Sequence, residues 1–220
     1  MFNNHSSLGR IGTFGGFLGY FLVNSPAAIT LFDNFGPYLG YQYEGITVGN
    51  LPPFLQIAAA SFTVQAPQSC FLSSVVAPML VDTDLQPALW TLSVASDNSG
   101  LPGNIIASSS ALVGTIGLYS FDFGGSVELS AGGTYWLIAT AANGSEGGWM
   151  DSNVQVSSGN DDLYSTTLDP PDWLNTGHLY RPAFSVEGTA IPEPMSLPLG
   201  TAVIGVFATL LTRSPRRAIR

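Results

Sequence analysis

Two neighbouring runs decide how this chain folds. They are Leu118-Tyr119-Ser120-Phe121-Asp122-Phe123-Gly124-Gly125 and Ala131-Gly132-Gly133-Thr134-Tyr135-Trp136-Leu137-Ile138-Ala139. The first alternates, with its three aromatics on one face, which is the period-two pattern of a strand half-buried against a core. It stops at a glycine pair, as turns do. The second leaves an Ala-Gly-Gly turn and is apolar on both faces, as expected of a central strand covered on two sides.

Outward from there the same grammar repeats. Ser61-Phe62-Thr63-Val64-Gln65 and Trp90-Thr91-Leu92-Ser93-Val94 alternate, and Tyr180 to Val186 reads as a closing strand. Turn residues separate the runs in Asp97-Asn98-Ser99-Gly100-Leu101-Pro102-Gly103 and in Asn143-Gly144. No long helical pattern precedes Met195. Residues 28–190 are therefore expected to form an all-β domain, an antiparallel β-sandwich of jelly-roll-like type.

Charge narrows the function classes. The chain has 220 residues, only 10% of them charged, and no lysine. Within residues 28–190 a single arginine, Arg181, stands against fourteen acids, a formal charge of −13. Such a domain repels phosphate backbones, so nucleic acid is excluded as a partner. Cys70 is the one cysteine, which rules out an intramolecular disulfide. In Ser69-Cys70-Phe71-Leu72 it reads as a small apolar residue at the start of a buried strand.

The two ends carry different signals. Arg10 precedes a mostly apolar run, Ile11 to Val23, too short to span a bilayer and of the length of a signal-peptide h-region. Small residues at Ser25 and Ala27 fit cleavage after Ala27, so residues 1–27 read as a signal peptide for the Sec export machinery. At the other end Ile191-Pro192-Glu193-Pro194 is held extended by its prolines. Residues 195–212 follow without a charge, about 27 Å if helical, close to the ~30 Å of a hydrocarbon core. Then Arg213, Arg216, Arg217 and Arg220 form a basic end, residues 213–220, that acts as a membrane stop signal and stays cytoplasmic. Both ends place the β domain outside.

Pro192-Glu193-Pro194, the apolar span and the arginine-rich end together resemble the PEP-CTERM sorting tail of Gram-negative exopolysaccharide producers, over residues 191–220. The resemblance implies recognition near Pro192-Glu193-Pro194 by an exosortase, an integral membrane cysteine transpeptidase-like enzyme. It implies passage through the inner membrane and delivery to the cell surface or extracellular matrix. A second resemblance covers about residues 29–188. Thr30-Leu31-Phe32-Asp33-Asn34, Ala60-Ser61-Phe62-Thr63-Val64, the 97–103 turn and Leu129-Ser130-Ala131-Gly132-Gly133-Thr134-Tyr135-Trp136-Leu137 occur in an order similar to that of choice-of-anchor domains. These are surface β-sandwiches, and the resemblance implies work outside the cell without naming an activity.

Candidate sites are few. Trp90 and Trp136 lie inside strand patterns and read as core. Trp149 follows Asn143-Gly144-Ser145-Glu146-Gly147-Gly148, and Trp173 follows Asp169-Pro170-Pro171-Asp172. Both read as loop tryptophans able to stack on sugar rings, with Tyr164 and Tyr180 flanking the second loop. Asp82 with Asp84, and Asp161 with Asp162, offer hard oxygen ligands for structural calcium, or else are solvated acidic loops. Catalysis has little footing. His178 is the one histidine outside the signal peptide, no nucleophile elbow accompanies it, and zinc would lack ligands. The leading expectation is a non-enzymatic, structural or adhesive component of the surface or exopolysaccharide matrix. The alternative is a secreted carbohydrate-active enzyme or carbohydrate-binding module on the same fold.

Overall fold

A computed structural model of the full chain describes residues 27–35, 40–52, 54–81, 87–154, 162–167, 171–175 and 181–191. Twelve strands run through them: β1 (Ala28–Asp33), β2 (Tyr41–Leu51), β3 (Phe54–Thr63), β4 (Cys70–Val81), β5 (Ala88–Asp97), β6 (Pro102–Val113), β7 (Gly117–Leu129), β8 (Thr134–Ala141), β9 (Glu146–Ser152), β10 (Asp162–Ser165), β11 (Leu174–Asn175) and β12 (Ser185–Ala190). Among the described residues there is no helix, and none long and apolar enough to cross a membrane.

The strands form one curled sheet in the order β1-β12-β4-β9-β2-β3-β8-β5-β6, with β7 added beside β4 and β10 beside β3. Every strand pairing is antiparallel. The curl is made at β3. Its first residues pair with β2, from Leu51 opposite Phe54 to Gly49 opposite Gln56. From Ile57 onward it pairs instead with β10 on one side and, from Ala58, with β8 on the other. The halves on either side of β3 close over one apolar core.

Alternation sorts the side chains. Ala58, Ala60 and Phe62 of β3, Trp90, Leu92 and Val94 of β5, and Leu137 and Ala139 of β8 all enter the main core. They meet Leu72, Val75, Ala77 and Met79 of β4, Phe121 and Phe123 of β7, and Trp149 of β9. Each such large side chain removed from water contributes about 1.5–3 kcal/mol. An aromatic cluster centres on Phe184, whose ring stacks on Phe32 at 4.9 Å and lies 5.8 Å from Trp149 and 6.1 Å edge-on from Phe62.

The central-strand reading of Thr134–Ala139 holds: β8 lies between β3 and β5, and both of its faces are covered. Three other expectations need correction. The glycine pair 124–125 does not end its strand. It forms a bulge inside β7, where the partner register jumps between Leu72–Val127 and Ser74–Asp122. Gly124 and Gly125 take φ of 69° and 65°, and the Gly124 N–H donates to Asp122 Oδ1 at 2.8 Å. The closing strand starts later than expected, at Ser185, and ends at Ala190. The glycine-rich approach to Trp149 is no loop: it is β9, paired with both β2 and β4. A Cβ on Gly147 would collide with the Leu80 carbonyl oxygen and stand 2.9 Å from the Trp90 ring. These glycines let two backbones approach closely within the sheet.

Candidate functional site

The outer face of the β3-β8-β5-β6 half carries a second, smaller apolar cluster. Ile57 and Ala59 of β3, Ala95 of β5, Trp136 and Ile138 of β8, and Leu163 of β10 form it, and Trp173 packs against it. These are the residues that alternation turns away from the main core. β10 extends this face beside β3, Trp173 packs over part of it, and the rest is left as a groove of about 550 Å³.

The floor of the groove is Ile57, Ile138, Thr140 and Ser93. Register explains their contiguity, because Ser93 sits opposite Ile138, and Ile138 opposite Ala59. One wall is the hairpin between β5 and β6, contributing Asn98 and residues 101–105. The other is Pro171 and Trp173.

Both walls are pinned. In the hairpin, Asn98 and Leu101 exchange backbone hydrogen bonds at 2.8 and 3.3 Å. The two residues between them, Ser99 and Gly100, have φ of 57° and 83°, as a type I′ turn requires. The Asp97 carboxylate accepts from the Gly100 N–H at 3.2 Å and from Trp136 Nε1–H at 2.8 Å. That carboxylate ties the hairpin to Trp136 of the outer cluster beneath the groove. On the opposite wall the backbone N–H of Asp172 donates to Ser165 Oγ at 2.8 Å and to Thr167 Oγ1 at 3.0 Å. Ser165 is buried, so the residue before Trp173 hangs from a fixed point.

The groove is uncharged along its described lining. It offers an indole and aliphatic side chains, two side-chain amides (Asn98 and Asn104), and the hydroxyls of Ser93 and Thr140. Ile105 is 60% exposed and Leu101 43% exposed, so the hairpin wall presents apolar surface to solvent. Hydroxyl pairs continue the face beyond the groove: Ser93 with Ser108 and Thr91 with Ser110, each at 2.8 Å. An aromatic plane beside amides and hydroxyls suits a ligand that is apolar on one face and rich in hydroxyls at its edges.

Of the expected site residues, Trp173 lies in this groove, half-buried. Trp149 does not. It is fully buried in β9 and its Nε1–H donates to the Ala183 carbonyl at 2.9 Å. This corrects the reading of Trp149 as a loop tryptophan for glycan contact; no face of the ring is open to a ligand. Trp90 and Trp136 are core, as expected. Tyr164 is half-buried and packs on the main core. Cys70 opens β4 fully buried, and desolvation pushes its thiol pKa up. Asp162 is buried in β10 opposite Ala60. Asp82, Asp84, Asp161, His178, Tyr180, Ser25, Pro192, Glu193, Pro194, the span 195–212 and Arg213, Arg216, Arg217 and Arg220 lie outside the described residues. Among the described residues no group of three His, Cys, Asp or Glu side chains could hold a metal.

Sequence reading took residues 97–103 as a turn and missed that the turn is a wall of the groove. The available signal was a hairpin tip with exposed apolar residues, Leu101, Ile105 and Ile106, and no charge between them. A smaller groove of about 340 Å³ lies elsewhere, lined by Phe32, Asn34, Ser152 and Arg181 among others. There the Arg181 guanidinium donates to the Ser61 carbonyl at 2.8 Å and lies 6.0 Å from the Phe32 ring centre.

No protein-family model matches this chain, and no curated protein matches it in sequence. Among solved structures it is similar to a clostridial cysteine protease, Cwp84 after propeptide cleavage. The TM-score is 0.50 at 12% identity, over 69% of this chain and 39% of that one. A second structure, described as the cysteine protease and lectin-like domains of Cwp84, a surface layer associated protein of Clostridium difficile, gives a TM-score of 0.47 at 12% identity. It covers 62% of this chain and 32% of that one. This chain thus spans about two fifths or less of their lengths, and the likeness is one of fold.

Proposed function

We propose that this protein is an exported, non-enzymatic component of the cell surface or exopolysaccharide matrix whose β domain, a jelly-roll-like sandwich, holds glycan in the Trp173 groove. The observation that carries the reading is the groove itself: an indole and apolar floor faced by amides and hydroxyls, with both walls pinned.

Export by the Sec machinery and exosortase sorting at Pro192-Glu193-Pro194 belong to the same proposal. The position of the strands supports them. β1 begins at Ala28, one residue after the expected cleavage point, and β12 ends at Ala190. These two strands pair, with Ala28 opposite Thr189, so both chain ends leave the domain at one edge. Cutting after Ala27 and near Pro192 would spare every strand.

Two measurements test the reading. Mass spectrometry of both mature termini, from membrane and extracellular fractions of the host, should find a start at Ala28 and an end near Pro192-Glu193-Pro194. An intact Arg220 confined to membranes would refute the exosortase step. Retention of the protein on the host's own polysaccharides should fall on Trp173→Ala, and unchanged retention would refute the glycan role of the groove.

A further inference from the structure

Resting on that reading, we infer that the groove takes an uncharged hexopyranose chain and discriminates against uronate-bearing or otherwise anionic polysaccharide. The reason is that the groove's described lining holds no cationic side chain to receive an anion. Within residues 28–190 only the Arg181 and His178 side chains can carry positive charge, against fourteen acids. The α-amino group left by cleavage after Ala27 would start β1, at the far end of the strand order from β3-β8-β5-β6. Arg181 is held by the Ser61 carbonyl and the Phe32 ring in the other groove. His178 lies outside the described residues and is not in the groove's described lining. A carboxylated chain laid along the groove would therefore meet amides, hydroxyls and indole inside a strongly negative envelope. Its approach is opposed wherever screening is weak.

The groove also suits what an uncharged pyranose does present. The axial C–H face of such a ring matches the Trp173 indole and the Ile57 and Ile138 floor. Equatorial hydroxyls need partners that both donate and accept, and Asn98, Asn104, Ser93 and Thr140 supply them without charge. The hydroxyl pairs Ser93–Ser108 and Thr91–Ser110 carry the same chemistry along the face, so a chain leaving the groove still meets neutral donors and acceptors.

The test uses the protein purified from its host and the host's exopolysaccharide in two forms, native and with its uronic carboxyl groups reduced to primary alcohols. Methyl-esterified and free polygalacturonate serve as a second matched pair. Retention is measured by affinity electrophoresis at pH 8, from about 0.01 M salt, where the Debye length is ~30 Å, to about 0.1 M, where it is ~10 Å. The neutral form of each pair should be retained roughly tenfold or more over its acidic form at low salt. Neutral retention should be flat with salt, while the acidic form should gain as salt rises. Trp173→Ala should lower neutral retention by about tenfold. Because Trp173 also packs on the outer cluster, Asn104→Arg provides a variant that leaves that packing alone. It should raise retention of the acidic polymers and shrink the preference. Acidic polymers held as well as neutral ones at low salt, and lost on Trp173→Ala, would overturn the inference while leaving glycan binding intact. Retention of neither form would overturn both.

Discussion

Asp97→Ala is expected to destabilise the domain by about 2–3 kcal/mol and to weaken the groove with it. Asp97 accepts two hydrogen bonds from different elements, Trp136 Nε1–H at 2.8 Å and the Gly100 amide at 3.2 Å. Trp136 is only 1% exposed, so an indole N–H left without its partner costs about 1–3 kcal/mol. The lost turn contact adds roughly 0.5–1 kcal/mol. For a domain of this size that is a fall of about 5–10 °C in Tm. Asp97→Asn keeps an acceptor for the indole and should cost under about 1 kcal/mol. Urea titration followed by tryptophan fluorescence measures both variants. The slope with denaturant should be unchanged, since the surface exposed on unfolding is the same. Loss of glycan retention should follow the order Ala beyond Asn, because the carboxylate fastens one wall to Trp136 beneath the groove. An Asp97→Ala protein within about 0.5 kcal/mol of wild type would refute this account of the wall.

Further outcomes follow from the same geometry. Trp149→Phe should cost about 1–2 kcal/mol, by losing the bond to the Ala183 carbonyl, yet leave glycan retention untouched, the opposite profile to Trp173→Ala. Gly147→Ala should cost about 3 kcal/mol or prevent folding, seen as loss of soluble yield, because its Cβ meets the Leu80 backbone. Cys70 should resist thiol reagents until the protein is unfolded, as read by mass spectrometry of labelled samples. Its raised folded pKa also sets a sign. Below the free-thiol value of 9.0 both states hold the proton; above it unfolding releases one, so stability falls as pH rises. Cys70→Ala should flatten that slope in denaturant titrations above pH 9.0, and an unchanged slope would refute the assignment.

Several strands were legible in the sequence as strands. β5, β7 and β8 alternate or run apolar because each must bury a face, and that need is written in consecutive residues. The acidic envelope and the single arginine were likewise plain, since charge is additive along a chain. β9 was not legible. Gly147 and Gly148 carry the composition of a loop, and only the approach of the β4 backbone and the Trp90 ring to Gly147, and of the Met150 side chain to Gly148, explains why those positions in a central strand lack side chains. The fate of Trp149 followed from that misreading. The groove was beyond one-dimensional reading for a related reason. Its floor comes from β3, β5 and β8, and its walls come from the 97–105 hairpin and residues 171–173. These pieces are brought together by strand order and register. Sequence alone determined that the domain is all-β and acidic. Tertiary structure decided which tryptophan is left partly exposed, because a side chain's exposure depends on what the rest of the chain lays over it. Trp149 is covered by the main apolar core, whereas Trp173 borders the groove and stays half-buried.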